Sequence, residues 1–198
     1  MVLFKGMVMN VELLNITPNA LEFIGKCAGI CYNSSTEREP SIKRAVQCKD
    51  KGHLATLRFA HATFHVSGIS RTCSHQFVRS KHLDFLQRSQ RYCSETNSTV
   101  VVPKLTEEQE FEYITAIQTA QIAYDNLIKL GVRKEDARFV LPEATKTELI
   151  VTGNFQAWLD FIKLRGDTHA QWEIREVAKT INNILSKELD DKLFNWMP

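Results

Sequence analysis

The stretch SRTCSHQFVRSKHLDFLQRSQRYC, Ser70 to Cys93, decides how the rest of the chain reads. Arg71, Arg79, Lys81, Arg88 and Arg91 are cationic here, His75 and His82 can become so, and Asp84 alone opposes them. A solvated basic face normally interleaves Glu or Asp. Here the cations alternate instead with Gln76, Ser80, Gln87, Ser89 and Gln90, and with Phe77, Phe85 and Tyr92. Guanidinium forks grip phosphate oxygens bidentately, amides and hydroxyls read a ring edge, and aromatics pack on its flat face. The mixture suits a phosphate carried on a flat heterocycle. The same residues also fit a helix with a basic outer face followed by an ordinary strand, and spacing alone does not separate the two readings. Ser70 is placed to cap a helix running to Lys81, with Gln76 and Arg79 on one side of it. Gln87 to Cys93 alternates as a strand, so Gln87, Ser89, Arg91 and Cys93 face one way and Arg88, Gln90 and Tyr92 the other. A turn between the two would gather Gln76, Arg79, Ser89 and Arg91 around one phosphate.

The 198 residues, 43% of them hydrophobic, are enough for one good core and too few for two typical domains, so a single domain over residues 1–198 is expected. A net charge of +2 gives no whole-surface attraction for nucleic acid, which makes the basic stretch a local site with a small partner. No run of about eighteen apolar residues marks a membrane span, and the opening MVLFKGMVMNVELL lacks a secretory core, which points to a cytoplasmic protein. The five cysteines, Cys27, Cys31, Cys48, Cys73 and Cys93, are odd in number and contain no Cys-x-x-Cys. They read as reduced thiols, mostly buried.

Working outward, Met9 to Ile16 reads as a strand, Asn19 as the cap of a helix, Asn33 to Pro40 as a loop, and Ser41 to Gly52 as a second helix. His53 follows at a helix-to-loop junction, where an exposed or capping imidazole is the plain reading. Ala60 to Ser67 is a strand broken by Gly68, with His61 and His65 on one face; no third ligand accompanies them, and no metal site is expected. Thr99 to Val102 is a short β-rich run. Thr106 opens a long helix, ended by Gly131, with a stripe through Ile114, Ile117, Ala120, Ile122, Tyr124, Leu127, Ile128 and Leu130 that serves packing or a subunit interface. Arg138, just before Phe139-Val140-Leu141, either turns inward to an anion or forms a surface ion pair with Glu135. Thr145 to Thr152 is a strand ended by Gly153, Asn154 caps a helix, and Ala170 to Leu189 forms the last one. The tail through Phe194, Trp196 and Met197 is expected to lie against the body.

The central stretch resembles the signature of the flavin-dependent thymidylate synthases, Arg-His-Arg, seven residues, Ser, and then Arg-Tyr. Here it runs Arg79-Ser80-Lys81, seven residues, Ser89, Arg91-Tyr92, with Gln76 upstream. Two further segments match: Ala137-Arg138-Phe139-Val140-Leu141-Pro142 has the family's Ala-Arg-x-x-Leu-Pro form, and Leu164 to Ile174 its Leu-Arg…Asp-Thr-His-Ala-Gln-Trp-Glu-Ile form. The sequence departs from the pattern at Ser80, where an imidazole is usual, at Lys81, which replaces a planar fork by a point charge, and at Gln87, where Glu is usual.

The resemblance implies an α/β fold with a small, mainly antiparallel sheet flanked by helices. It implies methylation of deoxyuridine monophosphate (dUMP) to dTMP, with methylenetetrahydrofolate as carbon donor and FAD reduced by NADPH as hydride source. By carry-over, Arg165 is the catalytic residue on the pyrimidine. Gln76, Phe77, Val78, Arg79, Gln87, Arg88, Ser89, Gln90, Arg91, Arg138 and Arg165 form the dUMP site. His53, Thr56, Arg79, Ser80, Lys81, Gln87, Asn154, Phe155, Gln156 and Asp160 form the flavin site, Asp160 standing where the family has an amide. Sites shared between the chains of a homotetramer are also implied. Two alternatives stay open: a related pyrimidine-nucleotide enzyme such as a hydroxymethylase, and a non-catalytic binder of nucleotides or single-stranded nucleic acid.

Overall fold

A computed structural model describes residues 8–195. Strand β1 (Asn10–Ile16) leads to helices α1 (Ala20–Ile30) and α2 (Arg38–Asp50), a 3-10 turn (Leu54–Phe59), strand β2 (His61–Ser70), helix α3 (Arg71–Phe77) and strand β3 (Leu83–Gln87). The long helix α4 (Glu107–Lys129) follows, then the single turn α5 (Lys134–Ala137), a 3-10 turn (Arg138–Val140), strand β4 (Lys146–Asn154), and helices α6 (Phe155–Arg165) and α7 (Trp172–Glu188). The four strands form one antiparallel sheet in the order β1-β2-β4-β3, and helices flank it, as expected of the α/β class.

Several boundaries differ from the sequence reading, each for a local reason. Helix α2 begins at Arg38 and not Ser41, because Pro40 sits in the first turn, where its missing N–H would have had no helical partner anyway. Gly68 does not end β2: it takes φ +72°, open to glycine without strain, and the strand runs on to Ser70. Gly153 likewise lies inside β4, where an added Cβ would stand 2.3 Å from a Leu83 methyl, so glycine permits the close approach. Residues 88–93 are a turn and not a strand; β3 lies earlier, at Leu83–Gln87, with His82 at φ +63° turning the chain into it. Helix α3 accordingly stops at Phe77, four residues short of Lys81. Thr99–Val102 provides only a bridge, Val100 to Thr145. Asn19 does precede α1 but in the left-handed conformation, without a side-chain cap bond.

The capping signals are otherwise realised. Thr106 and Gln109 form a reciprocal capping box, Asn154 Oδ1 accepts from the Ala157 N–H at 2.9 Å, and Ser70 Oγ accepts from the Cys73 N–H at 2.9 Å. The stripe on α4 is not a core: Ile117 and Tyr124 are buried, whereas Ile122 and Leu130 are 60% and 80% exposed. Of the five thiols only Cys73 is buried, which corrects the expectation that most would be, and none of them is in a disulfide. Phe194 is fully buried; Trp196 and Met197 lie outside the described residues.

The residues group into two compact units. The first contains Val66–His75 and Leu86–Leu149, together with the chain up to Asn10; the second contains Val11–His65, Gln76–Phe85 and the chain from Ile150. In the second unit Trp158 is fully buried, edge-on to Phe64 at 5.1 Å and to Phe161 at 5.9 Å, while Phe161 stacks on Phe77 at 4.6 Å. Helix α1 packs tightly on α2 at Gly25, where a Cβ would fall 1.8 Å from the Ser41 carbonyl oxygen. Backbone cannot yield as a flexible side chain can, so Gly25→Ala should cost about 2 kcal/mol or more. A urea midpoint unchanged from the unaltered protein would contradict that packing.

Candidate functional site

In the first unit, Gln87 ends β3 with its amide nitrogen donating to Ser74 Oγ at 2.9 Å and Thr147 Oγ1 at 3.3 Å, which holds it against the sheet. The chain then turns. Arg88 N–H donates to the Glu148 carbonyl at 3.0 Å, Arg91 N–H to Ser89 Oγ at 3.2 Å, and Cys93 N–H to the Ser89 carbonyl at 2.9 Å. Ser89 therefore organises a tight turn, in which a hydroxyl two residues back substitutes for a backbone acceptor. Gln90 is buried within it and Arg91 is exposed. Arg91 reaches Glu135 of α5 at 2.6 Å, Arg133 pairs with the same carboxylate, and Arg138 Nε donates to the Glu135 backbone carbonyl at 3.1 Å. The structure thus brings Arg91 and Arg138 to one place through a residue that sequence reasoning had offered only as a competing ion-pair partner. Arg71, half-buried at the start of α3, adds a further cation; burial pulls its guanidinium below the ordinary value, with Glu143 and Glu95 acting in the opposite sense.

The second unit holds the remaining candidates. Arg165, the last residue of α6, donates from Nη2 to the Gln76 carbonyl at 3.1 Å, and its Nε is buried with no partner among the described residues. A cleft beside it is lined by Asp160, Lys163, Arg165, Asp167 and His169. His169 N–H and ring Nδ1 both reach Asp167, at 2.8 and 2.7 Å, and these bonds, the backbone one first, hold the Asp167 carboxyl below its usual range. Val78 and Arg79 are exposed where α3 gives way to the turn, as is Lys81, and Ser80 Oγ is buried without a partner among the described residues. Phe77 and Phe155 are both fully buried, so neither offers surface to a ligand and both serve the packing beneath the site candidates. His53 is exposed, and Thr56 Oγ1 donates back to the His53 carbonyl at 2.9 Å. Asn154 spends its side-chain oxygen on capping α6, and Gln156 Oε1 accepts from Arg58 Nε at 2.6 Å.

The sequence profile of the family described as thymidylate synthase complementing protein matches residues 12–189. The chain belongs to the flavin-dependent thymidylate synthase family. Relatives bearing that name include proteins of Mycobacterium avium, 36% identical over 186 residues, and Mycobacterium tuberculosis, 36% over 185 residues. A third, from Mycobacteroides abscessus, is 32% identical over 186 residues, and each alignment covers 81% of this chain and 72% of the relative.

Arginine, lysine, amide and hydroxyl donors of this kind suit an anionic flavin nucleotide. Arg165 Nε and Ser80 Oγ are among the buried side-chain atoms without a partner among the described residues, as are Ser41 Oγ and Arg175 Nε of the same unit, and buried donors are rarely left so. No group of three or more His, Cys, Asp or Glu gathers to hold a metal among the described residues. Sequence reasoning passed over Arg58 and Glu95. Arg58 sits in a 3-10 turn that carries no periodic signal, and Glu95 lies beyond the aligned signature in a loop whose burial no local pattern records. No helix among the described residues is long and apolar enough to cross a membrane.

Proposed function

We propose that this chain converts dUMP to dTMP by reductive methylation, with methylenetetrahydrofolate as carbon donor and FAD, reduced by NADPH, as the source of hydride. Arg165 carries this reading: its guanidinium is oriented by the Gln76 carbonyl, keeps a buried Nε donor without a protein acceptor among the described residues, and borders an open cleft. The flavin, when bound, supplies the hydride chemistry, so no protein nucleophile is required and none of the five cysteines needs a catalytic part. Arg165 stabilises negative charge as it develops on the pyrimidine, a use of fixed positive charge in a poorly hydrated place.

The nucleotide is held by the segments Gln76–Arg79 and Gln87–Arg91, with Arg138 and Arg165. Phe77 contributes by packing on Phe161 beneath this segment, while Arg91 and Arg138 supply forks for phosphate. The FAD is held by His53, Thr56, Arg79, Ser80, Lys81, Gln87, Asn154, Phe155, Gln156 and Asp160. Lys81 meets an anion as a point charge and Ser80 Oγ offers a buried hydroxyl, which supports a flavin contact at this altered signature. The chain, residues 1–198, serves as one catalytic domain in a cytoplasmic homotetramer whose chains share sites.

The test is to incubate the purified protein with FAD, NADPH, methylenetetrahydrofolate and dUMP and to weigh the nucleotide product. A mass gain of one methylene, giving dTMP, supports the proposal; a hydroxymethylated nucleotide or unaltered dUMP contradicts it. Arg138→Ala should weaken dUMP binding about ten- to a hundred-fold, the loss of a charge-assisted phosphate contact. Calorimetry checks this, and an unchanged dissociation constant would remove Arg138 from the site.

A further inference from the structure

One carboxylate among the described residues is buried in the first unit without a part in the chemistry above. Glu95 is 3% exposed, seven residues beyond Arg88, and its carboxylate receives Arg88 Nη1 at 2.6 Å. Arg88 Nη2 reaches the Ser94 carbonyl at 3.2 Å, so one guanidinium closes on both the side chain and the backbone at the far end of the loop. The loop between them contains Ser89, Gln90 and Arg91.

The far end is itself fastened to α4. The Glu95 N–H donates to the hydroxyl of fully buried Tyr124 at 3.1 Å, Gln121 Nε2 donates to the Glu95 carbonyl at 3.0 Å, and Ser98 Oγ donates to Gln121 Oε1 at 2.8 Å. The near end is fastened to β4 by the Arg88 N–H bond to the Glu148 carbonyl. Both ends are anchored independently, and the Arg88–Glu95 pair ties them to each other. We propose that Glu95, acting through Arg88, clasps the Ser89–Arg91 turn in the shape that receives the nucleotide phosphate, and is a positioning residue for that site. The proposal rests on the dUMP reading given above and assigns Arg88 to holding the turn, with no direct ligand contact required of its guanidinium.

A purely stabilising role fits the electrostatics poorly. Burial raises the Glu95 carboxyl above its ordinary value despite Arg88, the stronger of the two opposing cations, and Arg71. A buried ion pair is commonly replaced by apolar residues without loss of stability, because taking both charges out of water offsets their attraction. What apolar residues cannot reproduce is the directed, two-pronged bond across the loop.

The test compares the full-length protein with Arg88→Met/Glu95→Leu, which fills the space without the clasp, and with the milder Glu95→Gln. Amide exchange over residues 89–94 should rise about ten-fold in the double variant and less in Glu95→Gln, while the buried amides of β2 and β4 keep their rates. The dUMP dissociation constant should rise about ten-fold in the double variant, since a mispositioned turn no longer presents its donors together. Unchanged exchange in residues 89–94 overturns the clasp, as does a uniform rise through the whole chain, which would make the pair a general stabiliser. Failure of the unaltered protein to bind dUMP would overturn the nucleotide reading instead, and with it the ligand half of the proposal, while the exchange rates still decide whether the clasp exists. Should the double variant not fold, Glu95→Gln decides by the same two measurements.

Discussion

Arg165→Ala is expected to lower the rate of dTMP formation by about a thousand-fold, with little change in the denaturation midpoint. The two effects separate because of where the residue sits. Arg165 closes α6 and is half-buried, so truncation removes few core contacts, and the hydrogen bond it loses, to the Gln76 carbonyl at 3.1 Å, leaves an acceptor at the cleft side of the unit. Its guanidinium, by contrast, borders the cleft with an Nε donor that has no partner among the described residues, and a preorganised cation contributes most where charge develops on a bound ring. Single-turnover measurement with saturating dUMP reads the chemical step. Arg165→Lys should recover only part of the loss, because an ammonium cannot keep the Gln76 contact and offer a second planar donor together. An alanine variant that retained the original rate would remove Arg165 from the catalytic role.

Trp158→Ala is expected to produce the largest loss of stability, about 4 kcal/mol. The indole is fully buried, touches Phe64 and Phe161 edge-on, and donates from Nε1 to the Ala62 carbonyl at 3.1 Å. Truncation leaves a cavity beneath the ring stack that includes Phe77, whose helix carries Gln76, and it removes a donor from a buried carbonyl. Trp158→Phe keeps most of the ring packing and loses the hydrogen bond, so it should cost about 1–2 kcal/mol. Urea denaturation of the two variants apportions the effect; equal midpoints would show that the hydrogen bond, and not the packing, dominates.

The elements of this chain are legible where its periodicity is long or its caps are explicit. The final helix shows its core face in Ile174, Val177, Ala178, Ile181, Ile184 and Leu185, of which all but the half-buried Ile184 are buried, and Asn154 and Thr106 mark helix starts that the structure reproduces. Glycine and proline mislead when their usual meaning is overridden by tertiary contact. Gly68 and Gly153 read as strand breaks, yet one supplies a positive φ and the other clears space for Leu83, both within continuing strands. Gln87 to Cys93 alternates like a strand, but Ser89 supplies a local acceptor to the Arg91 N–H and the backbone turns instead. On α4, the apolar stripe records a face and says nothing of what covers it, and Ile122 and Leu130 stand exposed.

The candidate site was legible as a set of residue types before it had a geometry. Arg91 and Arg138, nearly fifty positions apart, could be linked only through family motifs, and Glu135 is the physical link between them. Glu95 could not be found that way: its importance comes from burial and from bonds to Tyr124, Gln121 and Arg88, none of which a local pattern encodes.

The claim that a flavin and dUMP meet on this protein is tested most directly by the visible absorption spectrum of the purified FAD-loaded protein, recorded while dUMP is added. The account predicts a flavin band at near-equimolar occupancy that shifts and saturates with dUMP, and a diminished shift in Arg165→Ala. A protein that takes up no FAD, or whose flavin band is indifferent to dUMP, would contradict it.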